Sequence, residues 1–202
     1  MKYSKNNNLF RNIYKVLVYI SSLYFLAKFF CSILFNRNKR IFLFDIDNTV
    51  ANTWPSFTNN FKSRRKRLLG LSVFINMRAL ICQIIKDKNN KVIFLTSRRF
   101  YDLFVTFKWL RSVGINITIF DVIIVNPKTK IQLIQNAIKF FNPQLFYIDD
   151  MTYNHENGKM KTYKFIKNIY PLPIKYFGYE FISSINDADI RKEMNYNDIF
   201  SV

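Results

Sequence analysis

Residues 41–50 read IFLFDIDNTV. The run 41–44 is apolar at every position and then breaks into Asp45-Ile46-Asp47-Asn48-Thr49. An apolar run without alternation suits a short strand covered on both faces. Similar runs at 92–95, 122–125 and 145–148 predict three more strands, and 175–178 a weaker final one. Helical spacing between them predicts helices over 75–86, 101–113, 129–140 and 159–169, with a polar helix closing the chain. Strands alternating with helices give an α/β protein, a parallel sheet flanked by helices.

In such a sheet, ligands bind where loops leave the carboxyl ends of the strands. The first strand is followed there by Asp45, Asp47 and Thr49, and the second by Thr96, Ser97 and Arg98. Lys128 and Lys130 follow the third, and Asp149 and Asp150 the fourth. Two aspartates at i and i+2 face one side of an extended chain. Alone, such a pair is most often a solvated turn. A hydroxyl, a lysine and an acidic pair at the matching ends of successive strands change that reading.

These groups suit phosphoryl transfer to a carboxylate. A carboxylate that attacks phosphorus forms an aspartyl-phosphate and divides a difficult hydrolysis into two easier steps. Attack by an anion on an anion needs charge cancellation, which Mg²⁺ on carboxylates, a lysine and hydroxyl donors supply. A second carboxylate can protonate the leaving oxygen and later activate water.

FLFDIDNTV, FLTSR, NPKTK and YIDD together resemble, in order and spacing, the four motifs of the haloacid dehalogenase superfamily of phosphatases. The resemblance spans about residues 41–180. It implies a Rossmann-like sheet, Asp45 as nucleophile, Asp47 as general acid/base and Thr96 on phosphate. For Mg²⁺ it implies Asp45, the Asp47 carbonyl and Asp149, with Asp150 close by and the two acidic residues unranked. Lys130 is the favoured motif lysine because Leu133, Ile134, Ala137 and Ile138 follow it at helical spacing, and Lys128 competes. Asn48 stands where the family often has glycine, and asparagine tolerates the left-handed backbone. The stretch 95–115, LTSRRFYDLFVTFKWLRSVGI, is similar to the second-motif region of polynucleotide 3'-phosphatases and acid phosphatases. Arg98 is then a candidate phosphate contact or a surface arginine at a helix start, and Trp109 is a core residue.

Composition narrows the chemistry. The chain has 202 residues, enough for one domain with a short appendage. Two cysteines, Cys31 and Cys82, make neither a disulfide framework nor a metal knuckle, and the single histidine, His155, excludes histidine triads and zinc sites. Against 31 basic residues stand 13 acidic ones, a net charge of +18. That field favours phosphorylated substrates, anionic lipid surfaces or nucleic acid, although basic side chains also serve solubility.

Residues 16–35, VLVYISSLYFLAKFFCSILF, are flanked on both sides by lysines and arginines. Twenty helical residues cover about 30 Å, the hydrocarbon thickness of a bilayer. Lys28, on one stripe with Ser21 and Ser32, leaves three arrangements open: a single span, an interfacial helix, or a helix packed on the soluble domain. Residues 1–38 are accordingly expected to form a membrane-anchor helix and 39–202 a phosphatase domain. Free thiols and Mg²⁺ chemistry favour a cytoplasmic face for that domain.

Only about 45 residues separate the first motif from the second strand, too few for a large lid. A small flap is expected there, with Trp54, Pro55 and Ser56 either touching the leaving group or plugging the loops. The run Lys62-Ser63-Arg64-Arg65-Lys66-Arg67 is either a solvated face or an anion site. His155 and Glu156 are candidates for the substrate rim. Thr49, Ser97, Arg98 and Trp54 are the candidate substrate contacts. The function expected is a Mg²⁺-dependent phosphatase acting on a small or sugar-like phosphomonoester near a membrane. The alternatives are a nucleic-acid 3'-end-processing phosphatase and a non-catalytic membrane-associated protein on the same scaffold.

Overall fold

The computed structural model describes residues 3–153, 159–187 and 199–200. Helix α1 (Tyr3–Phe35) leads into β1 (Arg40–Phe44), the hairpin strand β2 (Ala51–Asn52) and two short helices, α2 (Pro55–Thr58) and α3 (Arg64–Leu69). Strand β3 (Ser72–Val73) closes the hairpin, and α4 (Ile75–Lys86), β4 (Asn90–Thr96), α5 (Leu103–Ser112) and β5 (Val122–Ile124) follow. Then come α6 (Pro127–Phe141), β6 (Leu145–Ile148), a second hairpin of β7 (Thr152–Tyr153) and β8 (Lys161–Thr162), β9 (Lys175–Phe177) and α7 (Tyr179–Asp187).

Five strands form one sheet in the order β5-β4-β1-β6-β9, every pair parallel. The chain winds outward from β1 through β4 to β5, then crosses back to lay β6 and β9 on the other side of β1. This reversal places the topological switch point at the carboxyl ends of β1 and β6, where a crevice opens.

Period-two alternation divides the core between the two faces. Phe42, Phe44, Phe94, Phe146 and Ile148 point toward α4, α5 and α7, with Phe42 and Phe146 stacked at 4.5 Å. Ile41, Leu43, Ile93, Leu95, Leu145 and Tyr147 point toward α1 and α6. Burial on both faces explains why these runs carry no polar residue until they reach the site.

Two expectations need correction. No helix forms over 159–169. A two-residue strand pairs with β7, and Lys164–Asn168 makes a 3-10 turn. The cause is local: Tyr153, Tyr163 and Phe165 stack in series, and the apolar residues suffice for one turn only. The segment between the first two large strands holds three helices, two of them short, and a hairpin. His155, Glu156 and most of the expected polar C-terminal helix lie outside the described residues, while the described α7 buries Ile182 and Ile185.

Helix α1 is long and apolar enough over Arg11–Phe35 to serve as a membrane span or a signal sequence. Its C-terminal part packs on the sheet, where Phe25, Phe29 and Ile33 are buried with α6 and β5. Lys28 is buried beside them, and its Nζ donates to the carbonyls of Ile119 and Val122, both at 2.7 Å. The lysine that interrupts the apolar segment thus ties the helix to the domain. Ile13, Leu17, Ile20 and Tyr24 form an exposed apolar stripe on the opposite side of the helix.

Lys28→Met leaves two carbonyls without their donor, and about 1–3 kcal/mol of stability is expected to be lost. Phe29→Ala, which empties a core position, is expected to cost about 3–5 kcal/mol. Tyr24→Ala, on the exposed side, changes stability by ~0.5 kcal/mol at most. Urea unfolding of the full chain in mild detergent measures all three.

Candidate metal centre

The site begins where β1 ends. Asp45 is held at the strand terminus by its own N–H, which donates to the Ile148 carbonyl of β6 at 2.9 Å. The chain then turns through Asn48, whose φ of 61° is left-handed. Its N–H donates to the Ala51 carbonyl, and its side-chain oxygen accepts from the Thr53 hydroxyl at 2.6 Å. Asparagine therefore fills the glycine-like position at little steric cost.

Lys130 comes from the first turn of α6, which opens with Asn126 as N-cap and Pro127 next to it. The apolar stripe Ile131, Leu133, Ile134 and Ala137 turns this helix onto the sheet and carries Lys130 inward with it. Its Nζ donates to Asp45 Oδ1 at 2.7 Å and to Asp149 Oδ2 at 2.8 Å. Lys128, two positions earlier, is exposed. Of the two lysines, it is Lys130 that the fold brings to the carboxylates.

At the end of β6, Asp149 Oδ2 also accepts from the Tyr147 hydroxyl at 2.6 Å, and its Oδ1 accepts from the Met151 N–H at 2.8 Å. Asp150 Oδ2 accepts from the Thr152 hydroxyl. Each of Asp45, Asp149 and Asp150 offers one oxygen within 4.8 Å of the others, and all three are buried. Hard carboxylate oxygens at this spacing could hold a metal ion.

The charge balance points the same way. The buried carboxylates of Asp45 and Asp149 share a single ammonium group, Lys130, while the half-exposed Asp47 is paired with Arg98. Two carboxylates on one cation leave a deficit of positive charge. Such a deficit is costly unless a cation or protons fill it. Burial raises the Asp45 pKa well above the ordinary carboxylate value. Lys130 opposes that rise, while Asp149, Asp47 and Asp150 add to it. For Lys130, burial lowers the pKa, but Asp149 and Asp45 outweigh it and hold the ammonium form.

Asp47 differs. Burial raises its pKa, yet Arg98 more than compensates and the carboxyl stays below its usual range. The contact is bidentate, with Arg98 Nη2 to Oδ1 at 2.7 Å and Nε to Oδ2 at 3.0 Å. Arg98 is itself buried, donates to Thr106 Oγ1 at 3.2 Å and lies over the Trp109 ring at 5.7 Å. It is not a surface residue. Trp109 is fully buried, as its place on the helix predicts, and its indole N–H donates to the Leu71 carbonyl.

Thr96, at the end of β4, is fully buried and its hydroxyl has no hydrogen-bond partner. A buried hydroxyl without a partner costs free energy, and the side-chain oxygens of Gln83 and Asn186 share that state. Ser97 is exposed and lines the cleft beyond Asp47. The other two expected substrate contacts sit elsewhere. Thr49 is fully buried and its hydroxyl accepts from the Asp150 N–H at 3.3 Å, which ties the two acidic loops together. Trp54 is the half-buried N-cap of α2, and from this flap it is Ser56 and Phe57 that line the cleft.

Tyr147 escaped the sequence reading, and Arg64 and Arg67 entered it only as members of the basic run 62–67. Tyr147 stands two residues before Asp149, so strand periodicity alone puts both on one side. Arg64 and Arg67 are three apart on one helical face, a pattern hidden inside a uniformly basic run.

Comparison with protein-family models and with curated proteins finds no match for this chain.

A cation must displace the proton that burial favours on Asp45. Metal affinity, probed with Mg²⁺, is therefore expected to rise with pH, with proton uptake by the buffer. Calorimetric titration in two buffers of different ionisation heat measures both quantities. Tyr147→Phe, which removes one donor from Asp149, is expected to weaken Mg²⁺ binding about tenfold.

Proposed function

We propose that this chain is a Mg²⁺-dependent phosphomonoester hydrolase of the haloacid dehalogenase type, acting through an aspartyl-phosphate. The observation that carries the reading is the meeting of Asp45, Lys130, Asp149 and Asp150 beside the unpartnered hydroxyl of Thr96. Groups separated by up to about a hundred residues gather at one strand end, and each has a use in phosphoryl transfer.

Asp45 Oδ2 accepts no hydrogen bond from the described residues, so its lone pairs are available to attack phosphorus. As the new bond to phosphorus forms, the ester oxygen departs with its electron pair and takes a proton from Asp47. Asp47, again a carboxylate, then removes a proton from the water that attacks the phosphoenzyme, which frees inorganic phosphate and restores Asp45. Lys130 holds the nucleophile in line and offsets its charge, and the Thr96 hydroxyl donates to a phosphoryl oxygen. Mg²⁺ bound by Asp45, Asp149 and Asp150 would neutralise the phosphoryl oxygens. Asp47 ends the cycle carrying the proton taken from water and delivers it to the next leaving oxygen, the first such proton coming from solvent. The Arg98 contact, which favours the carboxylate, suits the water-activating half.

The substrate is a small phosphorylated molecule, and the site stands near a membrane surface. Residues 1–38 serve as the membrane attachment and 39–202 as the catalytic part, on the cytoplasmic side. The exposed stripe Ile13, Leu17, Ile20 and Tyr24 supports attachment along the helix while its other face holds the domain. Both cysteines are free, in keeping with a reducing compartment.

Phosphate release from a broad phosphomonoester panel tests the reading. Asp45→Asn and chelation of Mg²⁺ are each expected to abolish turnover, and Thr96→Ala to lower kcat by about 10²-fold. Equal release by wild type and Asp45→Asn would overturn the assignment. For the membrane, wild type is expected to float with anionic vesicles, and a Leu17→Glu, Ile20→Glu double variant to remain in the soluble fraction.

A further inference from the structure

Beyond Asp47 the site opens into a cleft of about 340 Å³. Asp47, Ser97 and Arg98 form its inner wall. The short helices contribute Ser56, Phe57, Arg64 and Arg67, and Tyr153 of the second hairpin stands at the rim. Three guanidinium groups thus share one small space, and their partners differ.

Arg98 is spent on Asp47. Arg64 makes a two-pronged contact with the buried Asp102, its Nε and Nη2 at 2.9 and 2.7 Å from Oδ2. Arg67 makes no ion pair with a described residue, and its guanidinium rests 4.6 Å from the centroid of the Phe57 ring. Burial and the like charges of Arg64 and Arg98 lower its pKa, and the carboxylates of Asp47 and Asp102 only partly offset them. A cation held in such a place, with a flat orientation fixed by an aromatic ring, is prepared for a tetrahedral anion.

Position supplies the second half of the argument. Asp47 belongs to both the carboxylate cluster and the cleft, so the group leaving past Asp47 enters the space that Arg67 lines. Phe57 and Tyr153, 52% and 40% exposed, offer ring faces to that group.

We propose that the cleft is a second anion subsite, in which Arg67 receives a phosphoryl group carried on the leaving group of the substrate. The proposal rests on the phosphatase reading and narrows its substrate class to molecules with two phosphoryl groups. The second group can come from a free phosphate or from a phosphodiester link, and both present the same oxygens.

Three substrates share one scissile bond and separate the sources: adenosine 3'-monophosphate, adenosine 3',5'-bisphosphate and a 3'-phosphorylated diadenosine. Fructose 6-phosphate and fructose 1,6-bisphosphate repeat the comparison without a base. In the full-length protein, the second phosphoryl group is expected to raise kcat/KM about tenfold, mainly through KM. Arg67→Gln is expected to bring that ratio near one, and Arg67→Lys to keep part of it. The arm that shows the gain names the source. A wild-type ratio of one in every pair, or an unchanged ratio in Arg67→Gln, overturns the subsite.

A binding measurement needs no turnover. In EDTA, adenosine 3',5'-bisphosphate titrated into wild type is expected to bind about tenfold more tightly than into Arg67→Gln with the same unfolding transition. Equal binding, or none, overturns the subsite. Arg67-dependent binding in a protein that hydrolyses nothing keeps the subsite and removes the phosphatase reading. Turnover without preference for the second phosphoryl group does the reverse.

Discussion

A single ammonium group, buried between two carboxylates, holds the centre of this molecule together. Lys130 joins the first turn of α6 to the ends of β1 and β6, and those ends meet at the point where the chain reverses its direction across the sheet. Without it, Asp45 and Asp149 would stand as neighbouring charges in a dry environment, an arrangement that folding tolerates poorly. With it, the cluster still lacks positive charge, and that remaining deficit makes the site receptive to a divalent cation. Structural need and proposed chemical use coincide in one residue, because the contacts that permit burial also fix the spacing of Asp45 and Asp149.

Around this centre the supporting contacts form a shell of donors. Tyr147, the Met151 N–H and the Tyr176 hydroxyl fix the carboxylate and carbonyl of Asp149, and Thr49 links the loop after β1 to the loop after β6. Thr96 stands apart, since its hydroxyl is enclosed and unused. Arg98 and Arg64, each locked to an aspartate, frame the exit from this site, and Arg67 is left facing the exit with only a ring beneath it.

Helix α1 places a different constraint on the protein. Its buried residues fall near its C-terminal end, and its exposed apolar residues continue toward the N-terminus on the opposite side. One helix therefore has two apolar faces with different tasks. Lys28 makes the inner face specific: a buried ammonium that donates to two backbone carbonyls fixes rotation and register along β5 in a way that phenylalanine packing alone does not. The outer face is the surface proposed to meet lipid, and its apolar residues are exposed.

The strand–helix alternation and the placement of the reactive groups at strand ends were legible in the sequence. Both follow from local rules: apolar runs without alternation mark doubly covered strands, and period two decides which side Asp45 and Asp47 share. The inward turn of Lys130 was legible for the same reason, since the apolar stripe of α6 dictates which of its faces meets the sheet. Other features depend on contacts between distant segments and had no local signature. The bidentate grip of Arg98 on Asp47, the use of the Thr49 hydroxyl for Asp150, the selection of Phe57 over Trp54 at the cleft and the convergence of Arg64, Arg67 and Arg98 all arise between segments far apart in the chain. Periodicity reports which way a side chain leaves its own element, and only the packing of one element against another decides what it meets there.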